Sequence, residues 1–212
     1  MPLPGKIVAV AKNYAKHQAE MGSAVGRLSR PAFFLKPASS VVYVGAPIVR
    51  PMRVRELHHE VELGVVISRR CSNAAVEDWR SYVRGYVLAL DMTARELQAA
   101  AKKDGMPWTV SKCFDSFTPL SSEIAVDSIS DPHAVELWLS VDGIERQRGR
   151  TADMLAKIPE ILAEVSYCMT LDEGDIILTG TPEGVGAVEP GQVITAGITG
   201  IAEMRFPVLQ GI

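Results

Sequence analysis

Two glutamates stand two positions apart in a strand-like run of the sequence. Glu60 and Glu62 lie in the stretch HHEVELGVVI at 58–67, whose alternating β-branched residues are typical of a β-strand. Successive side chains of a strand point to opposite faces, so both carboxylates face one side and Val61 faces the other. Two unpaired carboxylates on a core strand would repel each other, and a cation would relieve that repulsion. Oxygen ligands indicate Mg²⁺ or Mn²⁺, because neither His nor Cys recurs here at a zinc spacing.

A third carboxylate follows a second strand-like run. Residues 82–90, YVRGYVLAL, predict a strand that ends at Asp91, where a side chain is easily presented to a cleft. We expect Thr93 to cap the next helix, from about Ala94 to Lys103, because its hydroxyl can accept a hydrogen bond from a free backbone N–H.

An imidazole and a carboxylate share one face of a helical turn near the start of the chain. Residues 6–11 predict a short strand, and residues 13–21 predict a helical turn that ends near Gly22. His17 and Glu20 are three positions apart and are therefore neighbours on that turn. Taken alone, such a pair is more often a weak surface contact than part of a site.

Short strands and one longer helix are expected in the rest of the chain. Residues 135–141 alternate again and lead into Asp142-Gly143, a dipeptide typical of a hairpin turn. We expect a helix over 153–167 and further strands over 175–179, 192–196 and 201–206.

The composition is that of an ordinary globular protein. The 212 residues are 47% hydrophobic and 22% charged, with a formal net charge of −3. This balance argues against nucleic acid as a partner, which would require clustered Lys and Arg. No apolar run approaches the roughly 20 residues that cross a bilayer, and the N-terminus lacks a signal-peptide pattern. We therefore expect no membrane partner and an intracellular, soluble protein of the cytoplasm or the mitochondrial matrix, with its three cysteines reduced.

Five short motifs follow one another in a specific order along the chain. They are Asn13-Tyr14 with His17 and Glu20, Glu60-Val61-Glu62, Leu90 to Arg95, Trp108 to Lys112, and Gly180 to Gly186. Together they resemble the fumarylacetoacetate hydrolase family, most closely its small acylpyruvase and oxaloacetate decarboxylase branch. The resemblance implies an α+β fold, a rolled, mixed β-sandwich with flanking short helices. It also implies one catalytic domain over residues 1–212, a lid segment over 13–25, and a homodimer.

The resemblance assigns a metal centre and a nearby cation. It implies that Glu60, Glu62 and Asp91 bind Mg²⁺ or Mn²⁺ and leave positions on the ion for water or substrate oxygens. Lys112 would lie near the substrate oxygens, where its charge can stabilise an enolate or oxyanion.

Further residues receive roles in catalysis and substrate binding. The resemblance implies that His17 is the general base that activates water, with Glu20 holding and charging its imidazole. The substrate-binding residues that it implies are Arg95, Gln98 and Thr181. Lys12 and Glu183 stand where many relatives carry Arg and some carry Lys, so contacts with a substrate tail could differ here.

A small 2-oxo acid is the expected substrate. Hydrolysis of an acylpyruvate and loss of CO₂ from oxaloacetate both leave pyruvate enolate, whose negative charge a divalent cation stabilises. We therefore expect acylpyruvate hydrolysis, oxaloacetate decarboxylation or both. The alternative is a 2-oxo acid tautomerase or a hydroxymuconate-type isomerase on the same site, and a third reading is a metal-binding module without catalysis.

Overall fold

A computed structural model describes residues 2–22 and 25–211 of the chain. Mixed β-sheets with few short helices make up an α+β fold, which confirms the expected fold class. Residues 23 and 24 of the expected lid lie outside the described residues, and the assignment of one domain to residues 1–212 stays a prediction. No helix in the described ranges is long and apolar enough to span a membrane.

The described residues form sixteen strands and four α-helices, numbered in chain order. The strands are β1 (Ile7–Ala11), β2 (Ala32–Lys36), β3 (Val41–Tyr43), β4 (Ile48–Arg50), β5 (Leu57–His59), β6 (Val61–Ile67), β7 (Val83–Leu90), β8 (Thr93–Ala94), β9 (Thr118–Leu120), β10 (Ile124–Ala125), β11 (Glu136–Val141), β12 (Ile144–Arg150), β13 (Ile176–Leu178), β14 (Gly186–Ala187), β15 (Val193–Ile198) and β16 (Ala202–Gln210). The helices are α1 (Ala15–Glu20), α2 (Arg95–Asp104), α3 (Thr109–Lys112) and α4 (Ile158–Cys168).

Three sheets form the framework. The largest has the order β2-β1-β13-β6-β7-β9-β3, with β10 also paired to β7, and it mixes parallel and antiparallel pairs. The second sheet has the order β12-β11-β15-β16-β4, and the third has the order β14-β5-β8. Strands β11, β15 and β16 contact β6 and β7, so the two larger sheets pack on each other as the layers of a sandwich.

The central strands β6 and β7 hold the candidate carboxylates. Every residue of β6 is buried, because both of its faces are covered. The antiparallel register pairs Val61 with Leu90 and Glu62 with Ala89. Asp91 follows immediately, and its N–H donates to the Glu60 carbonyl at 2.9 Å. The strand pairing therefore brings three carboxylates together that are far apart in the sequence.

Two predictions at helix starts are wrong. Thr93 does not cap α2, because it lies in β8 and its hydroxyl is hydrogen-bonded to Glu60 and to the Asp91 carbonyl instead. Helix α4 begins at Ile158 rather than at 153, since the Glu160 side chain accepts a hydrogen bond from the Lys157 N–H and closes the first turn there. The expected strands and the Asp142-Gly143 turn are confirmed with shifts of a few residues at their ends.

Candidate active site

Glu60, Glu62 and Asp91 form a buried group that we call the carboxylate triad. One oxygen atom from each side chain lies within 4.8 Å of the others. Their residues are 5%, 2% and 2% exposed, respectively. A cleft reaches the triad, and it is also lined by His17, Arg95, Gln98, Lys112 and Thr181. The structure thus brings all of the sequence-derived site residues except Glu20 to the wall of one cleft, and Glu20 bonds to His17 at its rim.

Three cations lie against the oxygens of the triad. Lys112 Nζ is 2.9 Å from Glu60 Oε2 and 2.5 Å from Asp91 Oδ2. Lys36 Nζ is 2.5 Å from Asp91 Oδ1, and Arg95 Nη2 is 2.6 Å from Glu60 Oε1. Three positive and three negative charges therefore balance, and a divalent ion added to this group would leave an excess of two positive charges.

Glu62 is the least compensated member of the triad. Its Oε2 accepts a hydrogen bond from the Gly180 N–H at 2.6 Å, and no ion pair links it to a described cation. Burial raises the pKa of Glu62 well above its ordinary value, and the charges of Asp91 and Glu60 raise it further. Burial acts in the same direction on Glu60, but the neighbouring cations, Lys112 first, outweigh it and lower that pKa.

The donor set fits a hard divalent cation. Three carboxylate oxygens are the ligand type that Mg²⁺ and Mn²⁺ prefer. An ion bound there would offset the mutual repulsion that raises the Glu62 pKa. The two histidines that precede Glu60 make hydrogen bonds to other residues. His58 Nδ1 accepts from Arg95 Nε, and His59 Nδ1 bonds to Gln147.

Helix α1 carries the imidazole–carboxylate pair. His17 Nδ1 is 3.2 Å from Glu20 Oε2, as the three-residue spacing predicted. Glu20 Oε1 accepts a hydrogen bond from the Gly184 N–H at 3.0 Å, so this one carboxylate joins α1 to the glycine-rich loop, residues 180–186. Lys16 Nζ forms a second contact with this loop, at 3.1 Å from Glu183.

The expected substrate-binding residues come from α2 and from the glycine-rich loop. Arg95 Nη1 donates to Gln98 Oε1 at 2.6 Å, so the two side chains hold each other at the wall of the cleft. Thr181 follows Gly180, whose φ of +95° is in the left-handed region that favours glycine. A Cβ on Gly184 would lie 2.0 Å from the Arg146 carbonyl oxygen, so this loop position also requires glycine.

Lys36 is a site residue that sequence reasoning missed. It ends the apolar strand β2 and is 1% exposed, with its ammonium on Asp91. Burial lowers the pKa of Lys36, against the opposing effect of Asp91. A lysine that closes an apolar run between two prolines was the available signal, but such a lysine is usually a surface residue.

The sequence and the fold match a known protein family. A family model, Fumarylacetoacetate (FAA) hydrolase C-terminal, matches residues 6–209. The chain belongs to the fumarylacetoacetate hydrolase family. Enzymes of closely similar sequence share nearly its whole length, and as a member of this family the chain is an enzyme.

Three relatives indicate the range of the fumarylacetoacetate hydrolase family around this chain. The chain is 52% identical over 203 residues to the mitochondrial oxaloacetate tautomerase FAHD1 of Arabidopsis thaliana, covering 96% of the chain and 90% of that protein. It is 49% identical over 206 residues to the mitochondrial oxaloacetate decarboxylase of Dictyostelium discoideum, covering 96% and 94%. A fumarylpyruvate hydrolase from Pseudomonas aeruginosa, solved in complex with Mn²⁺ and pyruvate, has a TM-score of 0.92 and 34% identity over 97% of this chain and 90% of that one.

Proposed function

We propose that this chain is a divalent-metal-dependent enzyme that interconverts the enol and keto forms of oxaloacetate and also decarboxylates it. The observation that carries the proposal is the buried carboxylate triad with Lys112 at its oxygens. The relatives named oxaloacetate tautomerase and oxaloacetate decarboxylase support oxaloacetate as the substrate. We therefore rank tautomerisation, which was the alternative from the sequence, above acylpyruvate hydrolysis as the proposed activity.

The charge of the site suits a dicarboxylate. Lys36, Lys112 and Arg95 pair with the triad, and Lys12 and Lys102 also line the cleft, so a bound divalent ion would leave the cleft with a net positive charge. Oxaloacetate carries two negative charges at neutral pH and would compensate part of it. Arg95, Gln98 and Thr181 line the cleft and offer hydrogen-bond donors to its carboxylates.

Both reactions require the C2 oxygen of the substrate to gain negative charge. A bound Mg²⁺ or Mn²⁺ would supply electrophilic stabilisation of that charge. In tautomerisation C3 loses a proton while the electron pair moves toward the C2 oxygen, which is then protonated. In decarboxylation the bond from C3 to the carboxylate breaks instead, CO₂ leaves, and C3 takes up a proton to give pyruvate. Lys112 would donate to the oxygen that gains charge, and His17 with Glu20 would move the proton at C3.

Acylpyruvate hydrolysis is a second candidate function. The His17–Glu20 pair at the rim of the cleft favours it, because an imidazole held by a carboxylate can activate a water molecule. The structural similarity to a fumarylpyruvate hydrolase supports the same chemistry.

We also propose that the protein forms a homodimer. The mitochondrial relatives support the mitochondrial matrix as its compartment.

The test follows three reactions on the same purified protein. Enol–keto conversion of oxaloacetate is monitored by ultraviolet absorbance, and pyruvate release is measured from oxaloacetate and from acetylpyruvate. Each assay is run in EDTA and with added Mg²⁺ or Mn²⁺. Metal-dependent turnover of oxaloacetate is expected, with hydrolysis of acetylpyruvate as the second candidate. If none of the three reactions exceeds the rate of metal and buffer alone, the proposal is wrong.

A further inference from the structure

A buried glutamine lies behind the glycine-rich loop and has no role in the reaction as described so far. Gln147 is 1% exposed, although its neighbours in β12 are exposed or half-buried. The register of β12 shifts because Gln147 pairs with Leu139 while Glu145 pairs with Ser140. This leaves Arg146 as the extra residue of a β-bulge, a device that re-aims a neighbouring side chain. An amide group is costly to bury unless its hydrogen bonds are made.

Unambiguous partners on both sides fix the orientation of the Gln147 amide. Its Oε1 accepts from the Val61 N–H at 3.1 Å, and a backbone N–H can only donate. Its Nε2 donates to the Pro182 carbonyl at 3.0 Å, and a carbonyl can only accept. His59 Nδ1, 2.9 Å from the same Oε1, must therefore donate as well.

This orientation determines the polarity of the Thr181 hydroxyl. Gln147 Nε2 is 2.8 Å from Thr181 Oγ1, so the hydroxyl oxygen accepts that hydrogen bond. The one hydroxyl proton is left to donate elsewhere, and no described residue accepts it. Thr181 lines the cleft together with Glu62 and Lys112, so its proton is available to a bound ligand.

We propose that Gln147 is a positioning residue that makes Thr181 a hydrogen-bond donor to the carboxylate of the 2-oxo acid. This inference rests on the proposed function for the identity of the ligand. A threonine hydroxyl can otherwise donate or accept. With one of its lone pairs engaged by Gln147 and its proton left for the cleft, it favours an anionic carboxylate over a group that must itself donate.

The experiment measures binding of pyruvate to the Mn²⁺-loaded full-length protein by calorimetry. In its ionised form Gln147→Glu keeps an acceptor for Val61 and His59 but cannot donate, so the Thr181 hydroxyl would turn toward it. Loss of a hydrogen bond to a charged ligand is expected to weaken pyruvate binding roughly 10- to 100-fold. The affinity for Mn²⁺ should stay within a few-fold, and in turnover KM should rise more than kcat falls.

A double-mutant cycle distinguishes this role from a general effect of the new charge. Thr181→Val should weaken pyruvate binding to a similar extent, and adding Gln147→Glu to it should have little further effect. Thr181→Ser keeps the hydroxyl and is the matched control, in which the effect of Gln147→Glu should persist. If Gln147→Glu does not fold, as judged by circular dichroism, the neutral Gln147→Met takes its place in the same cycle. It only frees the Thr181 hydroxyl to rotate, so a smaller loss of pyruvate binding is expected, and that loss should again be absent beside Thr181→Val.

Two results would overturn the inference, and they differ from failure of the proposed function. Unchanged pyruvate binding in the Gln147 variant, or effects that simply add to those of Thr181→Val, would show that Gln147 does not act through Thr181. A wild-type protein that binds Mn²⁺ but no pyruvate would count against the proposed function itself, and against this inference with it.

Discussion

Glu62 and His17 face the same cleft from two very different supports. Glu62 lies within β6, hydrogen-bonded between β7 and β13, and is 2% exposed. His17 lies on a six-residue helix whose N-terminus has no side-chain cap, and the carboxylate that holds it has a side chain that is 34% exposed. Short exposed segments open locally at much lower free energy than core strands do.

This difference in support separates the side chains that every reaction of the site would use from the side chains that would distinguish one reaction from another. The carboxylate triad is fixed by the fold, and any reaction that develops charge on a 2-oxo acid would use it. The contacts of α1 lie outside the core, so a change there is expected to alter how protons and water are handled without disturbing the triad. Changes in the core should therefore abolish every activity, while changes in the lid should affect the reactions unequally.

Glu62→Gln is expected to have the largest effect. Without the third carboxylate, turnover of oxaloacetate and acetylpyruvate should fall by roughly 10³-fold or more, because the stabilisation from a metal ion is several kcal/mol. The metal-free variant should unfold at the same or a higher urea concentration. The folded state raises the pKa of Glu62, so its ionisation opposes folding at neutral pH, and the amide removes that cost. Full activity in Glu62→Gln would contradict a metal centre at the triad.

Lys112→Met is expected to lower kcat by roughly 10²- to 10³-fold, the range for loss of one donor to a developing negative charge. Lys36→Met is the matched control, since both lysines are buried and both bind Asp91, through different oxygens. Lys36→Met breaks one buried ion pair and Lys112→Met breaks two, so both should lose several kcal/mol of stability, Lys112→Met the more. Of the two lysines, only Lys112 lines the cleft with the triad, so kcat should fall further in Lys112→Met than in Lys36→Met. Equal losses of kcat would mean that Lys112 acts only by holding Asp91.

His17→Ala should separate the reactions while leaving the core intact. Hydrolysis of acetylpyruvate should fall by roughly 10²- to 10⁴-fold, as for other general bases. The free energy of unfolding should change by less than about 1 kcal/mol, because His17 lines the cleft rather than the core and the side chain of its partner Glu20 is 34% exposed. Glu20→Gln still accepts a hydrogen bond from the Gly184 N–H but loses its charge, so it should have a smaller effect. A large loss of Mn²⁺ affinity in His17→Ala would show that lid and triad are not independent.

Local pattern placed the members of the carboxylate triad on strands or at their ends, and the family resemblance supplied their role in metal binding. Glu60 and Glu62 are spaced by the period of a strand, and Asp91 ends the next clear strand, so pairing of the two strands brings them together. The His17–Glu20 contact likewise needed only the geometry of one helical turn.

Lys36 and Gln147 could not be found in that way. The run IERQRGR around Gln147 looks like an exposed strand, and only the bulge at Arg146, set by pairing with β11, turns the amide inward. The prediction that Thr93 caps α2 is wrong for a related reason, because its hydroxyl donates a hydrogen bond to Glu60, a residue 33 positions away. The roles of these residues depend on contacts with polar groups far away in the sequence, so a local sequence pattern cannot predict them.

The smallest expected effect comes from the segment just after the expected lid, where Arg27 Nη2 is 2.6 Å from Glu160 Oε1 on α4. Burial tends to raise the pKa of Glu160, but the Lys157 N–H and the Arg27 charge outweigh it and lower the pKa. Its contribution to stability is therefore present above the unfolded pKa and is lost as pH falls through the folded one. Glu160→Gln should cost less than about 1 kcal/mol at pH 7, since the pair is partly exposed and screened.

Urea unfolding of Glu160→Gln and wild type across pH 3 to 7 checks this expectation, with the difference between them shrinking toward the acid end. Glu164→Gln is the control, because Glu164 is 3.8 Å from Arg30 and supplies no hydrogen bond to the start of α4. Oxaloacetate turnover should stay within a few-fold of wild type in both variants, since neither residue lines the cleft. A strong loss of turnover in Glu160→Gln alone would mean that the anchor on α4 sets the position of His17, and that the lid depends on the rest of the fold more closely than its exposed contacts indicate.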